Sequence, residues 1–211
     1  MNWKKSSEEN KMILTEDYVR KTIEEVAPLV EEITDLKCNL DNCKIRLKPF
    51  INKTSPSGYH PHNNCFDFRE SFPGNYDYFC LNLGHELMHN AQYNSFKELS
   101  KKRNLSIHLD PVKYALNGDH PLEYLIEGDA VLVQSDLQKT YYNHPMRDTT
   151  FPFSKFLGIP QMKSFHKEEM PMAYKVGEEK LREKTKGDRE IINSLYEYPL
   201  EKLIKFFDLK Y

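Results

Sequence analysis

Two histidines stand four residues apart, with a glutamate beside the first, in the stretch NLGHELMHNA from Asn82 to Ala91. On an α-helix, residues i and i+4 share a face, so His85 and His89 present two imidazoles to one point. Two nitrogens and a carboxylate suit zinc, with a fourth position left to water. Glu86 lies about 100° around the helix from His85, within reach of that water as a proton acceptor. The flanking residues Gly84, Leu87, Met88 and Asn90 are all uncharged, and YFCLNL leads into the motif. This helix therefore belongs in a core, where two histidines and a glutamate without partners would be costly. In a chain with 8 histidines, a chance H-E-x-x-H arises with a probability of roughly a few per cent, so the context carries as much weight as the motif.

A third ligand is required. The extended H-E-x-x-H-x-x-G-x-x-H pattern of the metzincins needs a glycine and a histidine where this chain has Gln92 and Ser95, and the inverted order H-x-x-E-H is absent. A glutamate from a following helix is the remaining common solution. Glu127 lies 127 − 89 = 38 residues beyond His89, in YLIEGDAVLVQ, among Leu125, Ile126, Ala130 and Val131. An unpaired carboxylate in such company is penalised. Gly128 costs a helix interior ~1 kcal/mol relative to alanine, which close approach of the motif helix would offset. Glu123, one turn earlier, and Asp129 are the competing carboxylates. Asp129 could instead orient a zinc histidine from behind, although at i+2 from Glu127 it need not share its face.

The rest of the chain favours one domain of two lobes, about 15–96 and about 97–211, with room for a sizeable core. Lys+Arg 30 against Asp+Glu 32 argues against partners held by bulk charge, so neither nucleic acid nor an anionic membrane is expected. No apolar run approaches ~20 residues and no secretory signal is visible, which points to a cytoplasmic protein. In that compartment Cys38, Cys43, Cys65 and Cys80 are expected as free thiols rather than a Cys38–Cys43 disulfide. Residues 1–14 read as loose. Thr15 caps a helix to about Leu36, in which Pro28 should kink or divide the pattern. CKIRLKPFI and NNCFDFRE read as strands and SFPGN as a turn. Asn75 caps a helix from Tyr76 to about Phe96. Asp119 or His120 caps the next, with Pro121 in its first turn. Residues 141–173 read as irregular, and helix returns from Tyr174 with breaks at Gly187 and Pro199.

HELMH followed by LIEGDAVLV resembles the gluzincin zinc peptidases, in particular aminopeptidase N relatives. The resemblance implies one zinc ion held by His85, His89 and Glu127, with Glu86 as general base. It implies an α+β fold with a small mixed sheet and a mainly helical C-terminal half. PMAYKVGEEKL is similar to the Tyr-x-x-Gly segment of those proteins, which implies Tyr174 as the phenol stabilising the oxyanion, with His166, His144 and Tyr141 as substitutes. The closing SLYEYPLEKLIKFFDLKY resembles the tails of small uncharacterised prokaryotic proteins carrying the same motif pair. The Gly-x-Met-x-Asn segment that holds a free amine in the aminopeptidases is missing, so their specificity is not implied. Gluzincins place a substrate-pairing edge strand just before the motif helix, which here implies CFDFRE.

The expected activity is zinc-dependent hydrolysis of a peptide or protein substrate. The alternative is a catalytically silent or latent zinc-bearing module that binds a partner, with NHPMRDTTFPFSKFLGIP available to cover the cleft. The presence of Glu86 favours the first, because a structural zinc site closes its fourth position and has no use for a base.

Overall fold

The computed structural model describes residues 11–49, 56–102, 121–142 and 172–209. Val19, Ile23, Val26, Ala27 and Val30 recur at helical spacing and are all buried, which lays helix α1 (Glu16–Thr34) along the core. Thr15 caps it, its hydroxyl accepting from the Tyr18 amide at 3.2 Å. Pro28 does not divide α1, which continues through it. Pro28 and Glu24, whose carbonyl loses its donor, both lie on the exposed face, so the missing bond is not a buried one.

The two expected strands form as β2 (Lys44–Lys48) and β4 (Cys65–Arg69). They pair in parallel, and β3 (Ser57–His60) adds antiparallel on the other side of β4. The strand order is therefore β2-β4-β3, and CFDFRE is the centre of the sheet, not an edge. Cys65, Phe66, Asp67 and Phe68 are all buried, as suits a strand flanked on both sides. Two further expectations change. Lys11–Ile13 is not loose but forms β1, and Ser71–Pro73, expected as part of a turn, forms β5 antiparallel to it. Phe72 is buried in this pair, and three residues are too few for periodicity to show. Only Gly74, at φ 113°, turns the chain into the next helix.

Asn75 caps that helix, α2 (Tyr76–Lys102), accepting from the Tyr78 amide at 3.1 Å. It outruns the expected end at Phe96. Between Tyr78 and Gln92 it is buried on nearly every side, packed by α1, by β3 and by α3 (Pro121–Thr140). Phe79 fixes its start, meeting Phe68 and Phe72 edge-on at centroid distances of 5.4 and 5.1 Å. Pro121 opens α3 as expected, while its caps Asp119 or His120 fall outside the described residues. The C-terminal helices are α4 (Met172–Thr185), α5 (Arg189–Leu195) and α6 (Leu200–Phe206), separated at Gly187 and Pro199 as expected. Gly187 takes φ 79°, a conformation glycine adopts without strain.

Apolar side chains gather into two clusters. One lies among α1, the strands and the first half of α2, and takes in Ala130, Val133 and Leu137 of α3. The other joins Phe96, Leu122, Leu125 and Leu132 to Leu181, Ile192, Leu203 and Phe207 of the C-terminal helices. Helices α2 and α3 contribute to both, and the H-E-x-x-H residues and Glu127 sit where each helix passes from one cluster to the other. All four cysteines are free. No described helix is long and apolar enough to cross a membrane.

Candidate metal centre

The packing of α2 on α3 brings three side chains together. His85 Nε2 and His89 Nε2 are 3.0 Å apart, and each is 3.4 Å from Glu127 Oε2. Ligand atoms held 2.0–2.2 Å from a tetrahedral zinc ion stand about 3.3–3.6 Å from one another; the two edges to Glu127 have that length, and the edge between the histidines is slightly shorter. Glu127 Oε2 is buried and makes no hydrogen bond, which leaves it suited to a cation. The side chains keep 13%, 17% and 14% of their surface exposed, enough to leave the centre an opening. Among the described residues, this is the group that could hold a metal ion. Glu123 is buried one turn earlier and is not part of it.

Burial opposes charge on both His89 and Glu127, but their proximity wins. Glu127 lifts the His89 pKa to about 9 against that burial, and the two histidines hold the Glu127 carboxyl well below the usual carboxylate range. The cluster thus favours one positive charge close to the carboxylate.

Glycine sets the helix spacing around this point. A Cβ on Gly84 would lie 2.3 Å from Leu137 Cδ1, so the residue before His85 lets α3 approach α2. Gly128 does something other than expected. Its missing Cβ faces the backbone of Gly177, at 2.4 Å, and not the motif helix. A Cβ on Gly177 would in turn lie 2.2 Å from the Tyr124 carbonyl oxygen. The two glycines let α3 and α4 cross in near-contact. Tyr174, one turn before Gly177 on the same face, is thereby carried to the group of His85, His89 and Glu127. Its ring stacks parallel to His85 at 5.9 Å, and its hydroxyl lies beside Glu127. Burial, then the Glu127 charge, raise its pKa well above the ordinary value, so it remains a neutral donor. Of the substitutes for Tyr174, Tyr141 is not brought here, being exposed at the far end of α3 beside Glu32, while His144 and His166 lie outside the described residues.

Comparison of the chain with protein-family models, with curated proteins and with solved structures returns no match. The chemistry of the centre therefore rests on its own geometry.

Three supports escaped the sequence. Ser57 of β3 donates its hydroxyl to Glu86 Oε1 at 2.9 Å, fixing the carboxylate beside the histidines. Ser57 belongs to a four-residue strand with no alternating pattern, so nothing in the sequence singles it out. Asn90 ties α2 to the preceding loop and sheet. Its Oδ1 accepts from the Asn39 amide at 2.7 Å, and its Nδ2 donates to Asn39 O and Asn64 Oδ1, each at 3.0 Å. Gln92 lies 2.9 Å from His89 Nδ1 through Oε1, while its Nε2 donates to Ile126 O at 2.9 Å and to the Tyr196 hydroxyl at 2.8 Å. The i,i+3 spacing of His89 and Gln92 was the available signal. Asp129, expected as a possible support for a histidine, touches neither. It is fully buried, pairs with Arg189, and accepts from Tyr196 at 2.6 Å.

Proposed function

We propose that this chain is a zinc-dependent peptidase of gluzincin type, acting on a peptide or protein substrate. The observation that carries the reading is the convergence of His85 Nε2, His89 Nε2 and Glu127 Oε2 with the carboxylate of Glu86 on the next residue of the same helix. A zinc ion on these three ligands would supply a Lewis acid for a peptide carbonyl and lower the pKa of a water molecule.

The chain's own residues would do the remaining work. Glu86, held by Ser57 and buried, accepts the proton of the attacking water and passes it to the departing amine. Tyr174 donates its phenol proton as a hydrogen bond to the oxygen on which charge develops, an interaction stronger in the transition state than in the ground state. The strand beside this centre is β3, which packs on α2 and stands at the edge of the sheet among the described residues. An extended peptide adding to that edge through main-chain hydrogen bonds would run past Ser57 and Glu86.

The test is Glu86→Gln, incubated with zinc and a mixed peptide library whose cleavage is followed by mass spectrometry. Hydrolysis should fall by roughly 10²- to 10⁴-fold while zinc affinity holds. Tyr174→Phe should lower turnover more than it raises KM. Equal cleavage by wild type and Glu86→Gln overturns the mechanism. Zinc binding without cleavage in either protein favours a binding module.

A further inference from the structure

Behind His89 runs a line of buried polar groups that the proposed reaction does not use. We propose that Arg189, Asp129, Tyr196 and Gln92 form a one-way hydrogen-bond chain that fixes His89 in the tautomer whose bare Nε2 faces Glu127, making the segment Arg189–Tyr196 part of the metal centre. This rests on the reading of His85, His89 and Glu127 as metal ligands.

The direction of every bond follows from what each group can do. A guanidinium only donates, so Asp129 Oδ1 accepts from Arg189. Asp129 Oδ2 accepts in turn from the Tyr196 hydroxyl at 2.6 Å. A phenol has one proton, and here it is directed at Asp129. The Tyr196 oxygen can therefore only accept from Gln92, 2.8 Å away. That requires the amide nitrogen of Gln92, not its oxygen, to face Tyr196. The Ile126 carbonyl, 2.9 Å from the same nitrogen, makes the same demand independently, since a flipped amide would set oxygen against oxygen. With its nitrogen fixed, Gln92 must turn Oε1 to His89 Nδ1 at 2.9 Å. A carbonyl oxygen only accepts, so Nδ1 carries a proton. In the neutral ring the lone pair is then on Nε2, the atom 3.0 Å from His85 Nε2 and 3.4 Å from Glu127. Gln92, Tyr196 and Asp129 are 1%, 5% and 0% exposed, so no competing solvent contact loosens the chain. These residues position the ligand and do not touch substrate.

The experiment uses the full chain and zinc ion alone. Long-range ¹H–¹⁵N NMR of the zinc-loaded wild type should show a slowly exchanging proton on His89 Nδ1 and a metal-shifted, unprotonated Nε2. Competition with a chromophoric chelator should show that Gln92→Leu weakens zinc binding by roughly 10- to 100-fold. Tyr196→Phe should fall between this and wild type, because Ile126 still orients the amide. Circular dichroism of each metal-free variant confirms folding, and if Gln92→Leu does not fold, the wild-type spectrum decides alone. Zinc bound with Nδ1 unprotonated, or Gln92→Leu equal to wild type, overturns the proposal. His85→Ala and Glu127→Ala separate the two levels. If they lose zinc while Gln92→Leu keeps it, the metal centre stands and the chain behind it falls. Failure of the wild type to bind zinc overturns the centre itself.

Discussion

Asp67 and Glu127 are carboxylates held away from solvent in the two halves of the molecule, and they are neutralised in opposite ways. Asp67, fully buried on β4, accepts from Arg46 Nε at 2.6 Å and Nη2 at 3.0 Å, from Lys48, and lies 3.0 Å from His60 Nε2. Permanent cations from the adjacent strand close round it. Glu127 faces two imidazoles at 3.4 Å, and its Oε2 has no hydrogen bond. The first site is complete with what the chain supplies. The second supplies lone pairs at the spacing of ligands. A buried acid is thus no mark of function by itself; the kind of neighbour and its distance decide.

Glu127→Ala should weaken zinc binding by more than the roughly 100-fold that losing an outer hydrogen-bond partner costs, whereas Asp67→Asn should leave it unchanged in chelator competition. Next, zinc at 100 times the wild-type Kd should raise the unfolding free energy of wild type and Asp67→Asn alike by about 2.7 kcal/mol in urea titrations, and that of Glu127→Ala by less than about 0.4 kcal/mol. Without zinc, Asp67→Asn should cost about 1–2 kcal/mol, at the low end for a charged hydrogen-bonded group because its cations are half-exposed and can turn to water.

The smallest effects separate the sites by pH in the metal-free protein. Despite its burial, Asp67 is held below the usual carboxylate range by Arg46 and Lys48. Its contribution is therefore full above about pH 3.9 and fades as pH falls through the lower folded value. His89 is raised to about 9, so its contribution is full below about pH 6.5 and is lost as pH climbs through about 9. Thermal midpoints against pH should flatten at the acid end in Asp67→Asn and at the alkaline end in Glu127→Gln.

The parts of this design visible in the sequence are those written at short range. The spacing of His85 and His89, the caps Thr15 and Asn75, and the breaks at Gly187 and Pro199 are local and appear where expected. Glu127 could be singled out because a carboxylate among apolar neighbours needs a reason. What stayed hidden depends on contacts between distant segments. CFDFRE gives no sign that β2 and β3 flank it on both sides. Gly128 announced a close approach but not its partner, Gly177, in another helix. Gln92 reads only as standing where the metzincin pattern needs a glycine, although its i,i+3 spacing sets it beside His89. Tyr196, 104 residues from Gln92, carries no periodic or motif signal of its contact.

The crossing of Gly128 and Gly177 works as a gauge. Each glycine leaves out one methyl group, and backbone from the opposite helix lies within 2.4 Å of where that methyl would be. Neither backbone can retract like a side chain, so an alanine at either position acts as a wedge whose thickness is passed along α4 to Tyr174. The reach of that phenol to His85 and Glu127 is therefore machined by two absent carbon atoms, and a single added one would reset it without touching either residue.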